Sequence, residues 1–121
     1  MSEPVFDKRD QLDKIASGLL QGEQIIAVYD AIGAGTGFLG LTNLRVVLQD
    51  NSFVGKRTAL TSIPYSRVGA VSFVSDRNML GRFASSSQIA VTVGTQTYEV
   101  SFRGDDKAKH AHDVILWHLV R

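Results

Sequence analysis

The sequence predicts a mostly β fold with minor α content. About seven antiparallel strands form a barrel of two near-orthogonal sheets, capped by a C-terminal helix and preceded by an N-terminal one. Three observations carry this. Apolar runs between Leu41 and Val68 are broken by Asn, Gly and Pro signals, as in a β-meander. Strict alternation over Gln88–Arg103 marks a hairpin, and helical spacing appears only near the two ends of the chain.

In chain order, Leu12, Ile15, Ala16, Leu19 and Leu20 recur at helical spacing opposite Lys8, Arg9, Asp10, Asp13 and Lys14. The helix is expected over residues 7–21, with Asp7 as N-cap and Gly22 as terminator. Gln24–Ile32 is rich in β-branched and aromatic residues and opens a strand region expected over 24–103. Gly33-Ala34-Gly35-Thr36-Gly37 then runs into another strand, Phe38–Leu41. A phosphate cradle needs Gly-x-Gly-x-x-Gly opening a helix, or Gly-Lys-Ser/Thr, so this cluster reads as a strand connection.

Thr42-Asn43 makes a short turn into Leu44–Asp50, where Leu44, Val46 and Leu48 are expected to face the core and Arg45 and Gln49 solvent. Val47 breaks the alternation and implies that the second face is partly covered. Strands follow at Thr58–Pro64 and Val68–Val74, with Pro64 at a strand end because it has no N–H. Ser75–Ser87 is the longest irregular stretch and sets Arg77 and Arg82 beside Met79, Leu80 and Phe83, a combination suited to a contact surface.

In the hairpin, a two-residue type II′ turn at Gly94-Thr95 pairs Val91 with Tyr98 and Ile89 with Val100, placing both apolar sets on one face. The closing helix, expected over 105–121, begins at Asp105-Asp106 and ends at Arg121, a polarity that suits the helix dipole. Its apolar arc includes Leu116, Trp117 and Val120 and is wider than one sheet face needs. A helix that caps a barrel while touching a neighbouring subunit accounts for that width.

At 121 residues the chain is long enough for one domain, 1–121, with a core of its own. The chain has no cysteine, which removes disulfides, thiolate zinc sites and thiol nucleophiles and fits a reducing cytosol. A net charge of +1 supplies no global pull toward nucleic acid or anionic lipid. No strand interleaves aromatic with basic residues, so no nucleic-acid partner is expected. Met1–Arg9 carries acids and no apolar segment, and no run of ~18 apolar residues exists. A cytoplasmic location is therefore expected, and membrane association is not.

No chemistry assembles from the sequence. His110, His112 and His118 share one helix, where the first two point ~200° apart and cannot hold one metal. They read as surface histidines. No Gly-x-Ser-x-Gly or His-Glu-x-x-His pattern occurs, so no catalytic residue, metal or cofactor is assigned and the chain is not expected to be an enzyme. Lys56, Arg57, Arg77 and Arg82 are the candidates for binding an anion, a lipid headgroup or a partner. Leu116, Trp117, Val120, Met79 and Phe83 are the candidates for contacts between subunits.

Leu41-Thr42-Asn43-x-Arg45 followed by apolar residues, Asp50, Gly55-Lys56 and Ser62-Ile63-Pro64-Tyr65 resembles the bacterial pleckstrin-homology-like domain family over nearly the whole chain. That resemblance implies a small cytoplasmic barrel whose relatives form homo-oligomeric rings, some five-membered. Eukaryotic pleckstrin-homology domains that bind phosphoinositides place Lys and Arg in the first strand–strand loop. Gly33–Gly37 stands there instead, without a basic residue. The leading expectation is thus a non-enzymatic module that self-assembles into a homo-oligomer, or meets an unidentified protein partner. The alternative is an anion- or membrane-surface binder.

Overall fold

A computed structural model describes residues 3–33, 37–50, 59–76 and 85–121, which divide into two compact units, Met1–Pro64 and Tyr65–Arg121. The first holds β1 (Val5–Phe6), α1 (Arg9–Ala16), β2 (Ile25–Asp30), β3 (Phe38–Thr42), β4 (Arg45–Asp50) and β5 (Ala59–Pro64). They form one five-stranded sheet in the order β1-β2-β3-β4-β5. The second holds a 3-10 turn (Tyr65–Arg67), β6 (Ala70–Asp76), β7 (Ser86–Val93), β8 (Gln96–Arg103) and α2 (Lys107–Leu119), with the strands in a three-stranded sheet.

The expected barrel of about seven strands is corrected on two points. Among the described residues there are eight strands, and they pair as two separate sheets that are not closed into a barrel. The meander stops at Pro64, which has no N–H to extend the ladder, and the chain enters the 3-10 turn before β6 begins a new sheet. The eighth strand is β1, two residues paired parallel to β2 through Val5↔Ala27 and Phe6↔Val28.

Helix α1 is shorter than its periodicity suggested. It ends at Ala16, with Ser17 and Gly18 closing it, and Gly22 takes a φ of 81° in the loop beyond. Asp7 does not cap it. Lys8 occupies the N-cap, while the Asp7 carboxylate accepts the Asp30 backbone N–H at 2.9 Å and ties the incoming chain to β2.

The helix lies over the sheet face carrying Val28, Phe38 and Val47, where its buried Leu12 and Ile15 complete a cluster with them. Register places Val28 opposite Gly40 and Gly40 opposite Val47, so Gly40 sits in the middle of this face. A Cβ there would collide with Ile15 Cδ1. A Cβ at Gly37 would instead strike the backbone carbonyl of Gln49. The opposite face (Ala27, Leu39, Leu41, Val46, Leu48 and Ile63) is also buried. Arg45 and Gln49 therefore do not face solvent as expected. They alternate with Val47 on the side that α1 covers.

Arg45 is accommodated there by a buried carboxylate. Glu23, its side chain 0 % exposed, receives Arg45 Nε at 2.8 Å on Oε2 and Arg45 Nη2 at 3.0 Å on Oε1. Thr42 Oγ1 donates to the same Oε2 at 2.7 Å and accepts the Leu44 and Arg45 N–H groups, both at 3.0 Å. The Leu20 N–H completes the set on Oε1 at 2.9 Å. Arg45 also donates to the Gly18 carbonyl and to Ser62 Oγ. Beside it, Asn43 accepts the Gln24 N–H and donates to the Gly22 carbonyl. The Thr42-Asn43-Leu44-Arg45 turn is thereby fastened to the loop from 18 to 24.

The hairpin β7–β8 forms in the expected register, with Val91↔Tyr98 and Ile89↔Val100 paired. Gly94 has a φ of 62° and, among the described residues, no non-glycine has positive φ, so Thr95 does not, as a type II′ turn at Gly94-Thr95 requires. Ile89, Val91 and Phe102 are fully buried and face α2, which packs across β6, β7 and β8.

Two predictions follow from these contacts. Gly37→Ala should lose about 1–3 kcal/mol in denaturant melts, because a backbone carbonyl cannot step aside. Gly40→Ala should lose less, because the Ile15 terminal methyl can rotate away. The Arg45 hydrogen bonds, outweighing burial, lower the Glu23 pKa from 4.5 to about 2. A carboxyl depressed on folding stabilises the protein above its unfolded pKa and loses that contribution as pH falls toward its folded one. Stability should therefore decline from about pH 4.5 to about pH 2. Glu23→Gln should cost about 3–5 kcal/mol at neutral pH and flatten this acid limb in a pH series of melts.

Candidate functional site

The second unit carries the surface that most needs explaining. Helix α2 begins without a side-chain cap from its own N-cap residue, Asp106. The cap comes from the sheet instead, because Ser87 Oγ on β7 accepts the Ala108 N–H at 3.1 Å. Nearby, Ser75 Oγ donates to the Asp105 carbonyl at 2.8 Å, fixing the approach to the helix. Both serines belong to strands whose register is set by alternation, so the sheet positions the start of the helix.

One stripe of α2 meets the core: Ala108, Ala111 and Ile115, each 0 % exposed. Their spacing of three and four residues is that of a single helical face, and two of the three are alanines, which let the helix lie close to the sheet. His112 lies beside Phe73 of β6, with ring centroids 4.8 Å apart. His118 stacks flat on Tyr65, with centroids 4.2 Å apart and planes 6° from parallel. Its Nδ1 donates to the Val114 carbonyl at 2.8 Å, since a carbonyl can only accept. Neither is the free surface histidine that the sequence implied. Both serve to seat the helix.

What remains is exposed and apolar. Leu116 is 41 % exposed, Trp117 53 % and Val120 73 %. Leu116 and Trp117 lie on the last turn of α2 and Val120 is its C-cap, so the three are exposed at the same end of the helix. The Trp117 ring is held edge-on to His118 at 4.9 Å, and the Arg121 guanidinium lies 3.9 Å over its face. Toward the start of the helix the surface becomes polar. Lys109 and then His112 hydrogen-bond Asp113 and hold its carboxyl below the usual range. The patch is therefore a preordered aromatic and aliphatic surface bordered by charge. Such a surface can bury area against another protein, but it offers no nucleophile, base or metal-ligand set.

No protein-family model matches the chain, and no curated protein matches it in sequence. Solved structures do match. A pleckstrin homology domain from Shewanella amazonensis SB2B aligns with a TM-score of 0.67 at 17% identity, covering 95% of this chain and 100% of its own. A DUF1696-family protein with a pleckstrin-homology domain, from Shewanella loihica PV-4, aligns at 0.62 and 16% identity, covering 93% and 94%. The chain has the fold of bacterial pleckstrin-homology domains.

On this pleckstrin-homology fold, Leu116, Trp117 and Val120 are all exposed at the C-terminal end of α2. Met79, Phe83, Lys56, Arg57, Arg77 and Arg82, the other residues singled out from the sequence, lie outside the described residues. So do Ala34, Gly35 and Thr36 of the glycine cluster. Among the described residues no group of three or more metal-ligating side chains converges. No helix of the described chain is long and apolar enough to cross a membrane. Sequence reading missed the Ser87 cap and the Tyr65–His118 stack. Each joins positions distant in the chain, and the only local signal was a lone serine among three.

Ser87→Ala should cost about 1 kcal/mol by leaving a helix N–H unsatisfied. At concentrations low enough to keep the chain monomeric, Trp117→Ala and Val120→Ala should each change stability by less than about 0.5 kcal/mol, because these side chains are spent on solvent rather than on the core. Thermal melts of the three variants test this ordering.

Proposed function

We propose that the chain, residues 1–121, is a non-enzymatic pleckstrin-homology-like interaction module. It assembles with copies of itself through the solvent-facing end of α2. The observation that carries this reading is the exposed Leu116–Trp117–Val120 patch, on a helix whose core contacts are already supplied by Ala108, Ala111 and Ile115. Trp and Arg are the residues that most often dominate binding energy at protein interfaces, and here Arg121 already lies over the Trp117 ring. Pre-ordering of that pair lowers the entropy lost on docking.

A net charge of +1 on the chain means that copies of the module meet little mutual repulsion. If the patch meets itself, the product is a two-fold dimer. If it meets a different surface of the next copy and the rotation closes, the product is a ring, and five subunits is one size that the family resemblance implies. The module needs no cofactor or metal, and its partner is another copy of the same chain.

Light scattering coupled to size exclusion should give one discrete oligomer at micromolar concentration. Leu116→Asp and Trp117→Ala should each shift the species toward monomer while keeping one cooperative melting transition, whose midpoint no longer depends on protein concentration. A wild-type monomer across the micromolar range would reject the assembly.

A further inference from the structure

The end of α2 carries an order of charges as well as apolar side chains. Trp117 stands between two residues of opposite sign, each four positions away: Asp113 before it and Arg121 after it. Four residues make about one helical turn, so the charges flank the ring about 6 Å along the axis in either direction. Arg121 follows the last residue of the helix yet keeps this spacing, because its guanidinium lies 3.9 Å over the Trp117 ring. The Asp113 side chain is 51 % exposed. Lys109 donates to its Oδ2 and His112 to its Oδ1, both from earlier positions on the same helix.

That order decides how two copies of this helix end face each other. With the helices running the same way, Asp113 meets the partner's Asp113 and Arg121 meets the partner's Arg121, so like charges oppose at both flanks. With the helices antiparallel about a two-fold axis beside Trp117, Asp113 comes level with the partner's Arg121. The same operation sets Arg121 beside the partner's Asp113, so the attraction is made twice, and the opposed helix dipoles add to it. Leu116, Trp117 and Val120, all exposed, lie between the flanking charges along the chain, which gives the contact an apolar middle and a charged rim.

Both charged groups have the capacity for this second contact. A carboxylate has about four lone-pair sites, of which Lys109 and His112 use two. Stacking on Trp117 occupies the face of the Arg121 guanidinium and not its N–H edge. Lys109, one turn further out than Asp113, is level with no residue of the partner's helix. On the basis of the self-assembly proposed above, we infer that α2 pairs with the α2 of one other copy as an antiparallel two-fold dimer, locked at each flank by an Asp113–Arg121 ion pair. Such a contact is self-complementary and closes at two subunits, so this face does not make the head-to-tail contact that a ring needs.

The test is light scattering coupled to size exclusion, at low ionic strength, on charge-swapped variants of the full chain. Wild type should have the mass of two chains. Asp113→Lys and Arg121→Glu each set like charges together at both flanks and should weaken the dimer by about ten-fold or more. The double variant carrying both swaps puts opposite charges together again and should return to near wild-type affinity. An equimolar mixture of the two single variants should form a mixed dimer for the same reason. Should Asp113→Lys fail to fold, Arg121→Glu, which lies beyond the helix, decides alone. An oligomer of another size, single variants that dimerise as tightly as wild type, or a double variant no tighter than the singles would overturn the pairing and leave self-assembly standing. A wild-type chain that stays monomeric across the micromolar range would overturn self-assembly itself, and the pairing with it.

Discussion

A buried carboxylate organises the first unit. Glu23 gathers two contacts from Arg45, one from Thr42 and one from the Leu20 backbone, so both of its oxygens are fully occupied. The groups it gathers come from the segment after α1, the end of β3 and the start of β4. Arg45 extends the set to Ser62 on β5 and to the Gly18 carbonyl beyond α1. A buried charge is tolerated only when its partner and its hydrogen bonds are all present. The knot therefore forms completely or not at all, and it sets the register of β3, β4 and β5 together with the seat of α1.

That constraint explains why the sheet can be buried on both faces. Alternation alone would have made one side of β4 polar, since Arg45 and Gln49 flank Val47. Pairing Arg45 with Glu23 removes the need for solvent on that side, and α1 closes over Val47 with Leu12 and Ile15. Gly40 permits the close approach. Toward the other end of the helix polar Asp30 and Gln49 flank Phe38, which stays in the packed cluster, and a cleft opens beside them. The two ends of one helix thus differ because one has a buried ion pair to neutralise its polar residues and the other does not.

How much of this could be read from the sequence follows from the range of the interactions. The register and turn of the β7–β8 hairpin were legible, because period-two alternation and a glycine turn are local and mutually consistent, but β7 begins at Ser86 rather than Gln88. The Leu41-Thr42-Asn43-x-Arg45 motif was legible as a pattern but not as a mechanism. Its partner, Glu23, lies in a loop 22 positions away with nothing periodic around it. β1 escaped because two residues cannot display a period, and its parallel partner is reached only across α1. The barrel was over-read for the opposite reason: strand periodicity reports that strands exist, not whether their ladder closes past Pro64. On α2 the excess of apolar residues was visible, while the Ser87 cap that fixes the helix start was not.

The same physical division separates the buried from the exposed surface of α2. Ala108, Ala111 and Ile115 bury completely, so the helix is seated by three small or medium side chains. Seating of its far end falls to His118 on Tyr65, a flat stack that needs no contribution from the residues on the outer side. Leu116, Trp117 and Val120 therefore gain the fold little, and each would be replaced by a charged residue without loss of core packing. An exposed tryptophan, held in place from the side by His118 and over its face by Arg121, loses little further freedom when covered. Burying a ring of this size excludes the water that now wets it, and ring burial of that kind is a large favourable term in association. A surface arranged at so little benefit to its own unit is what the proposed contact with another copy would use.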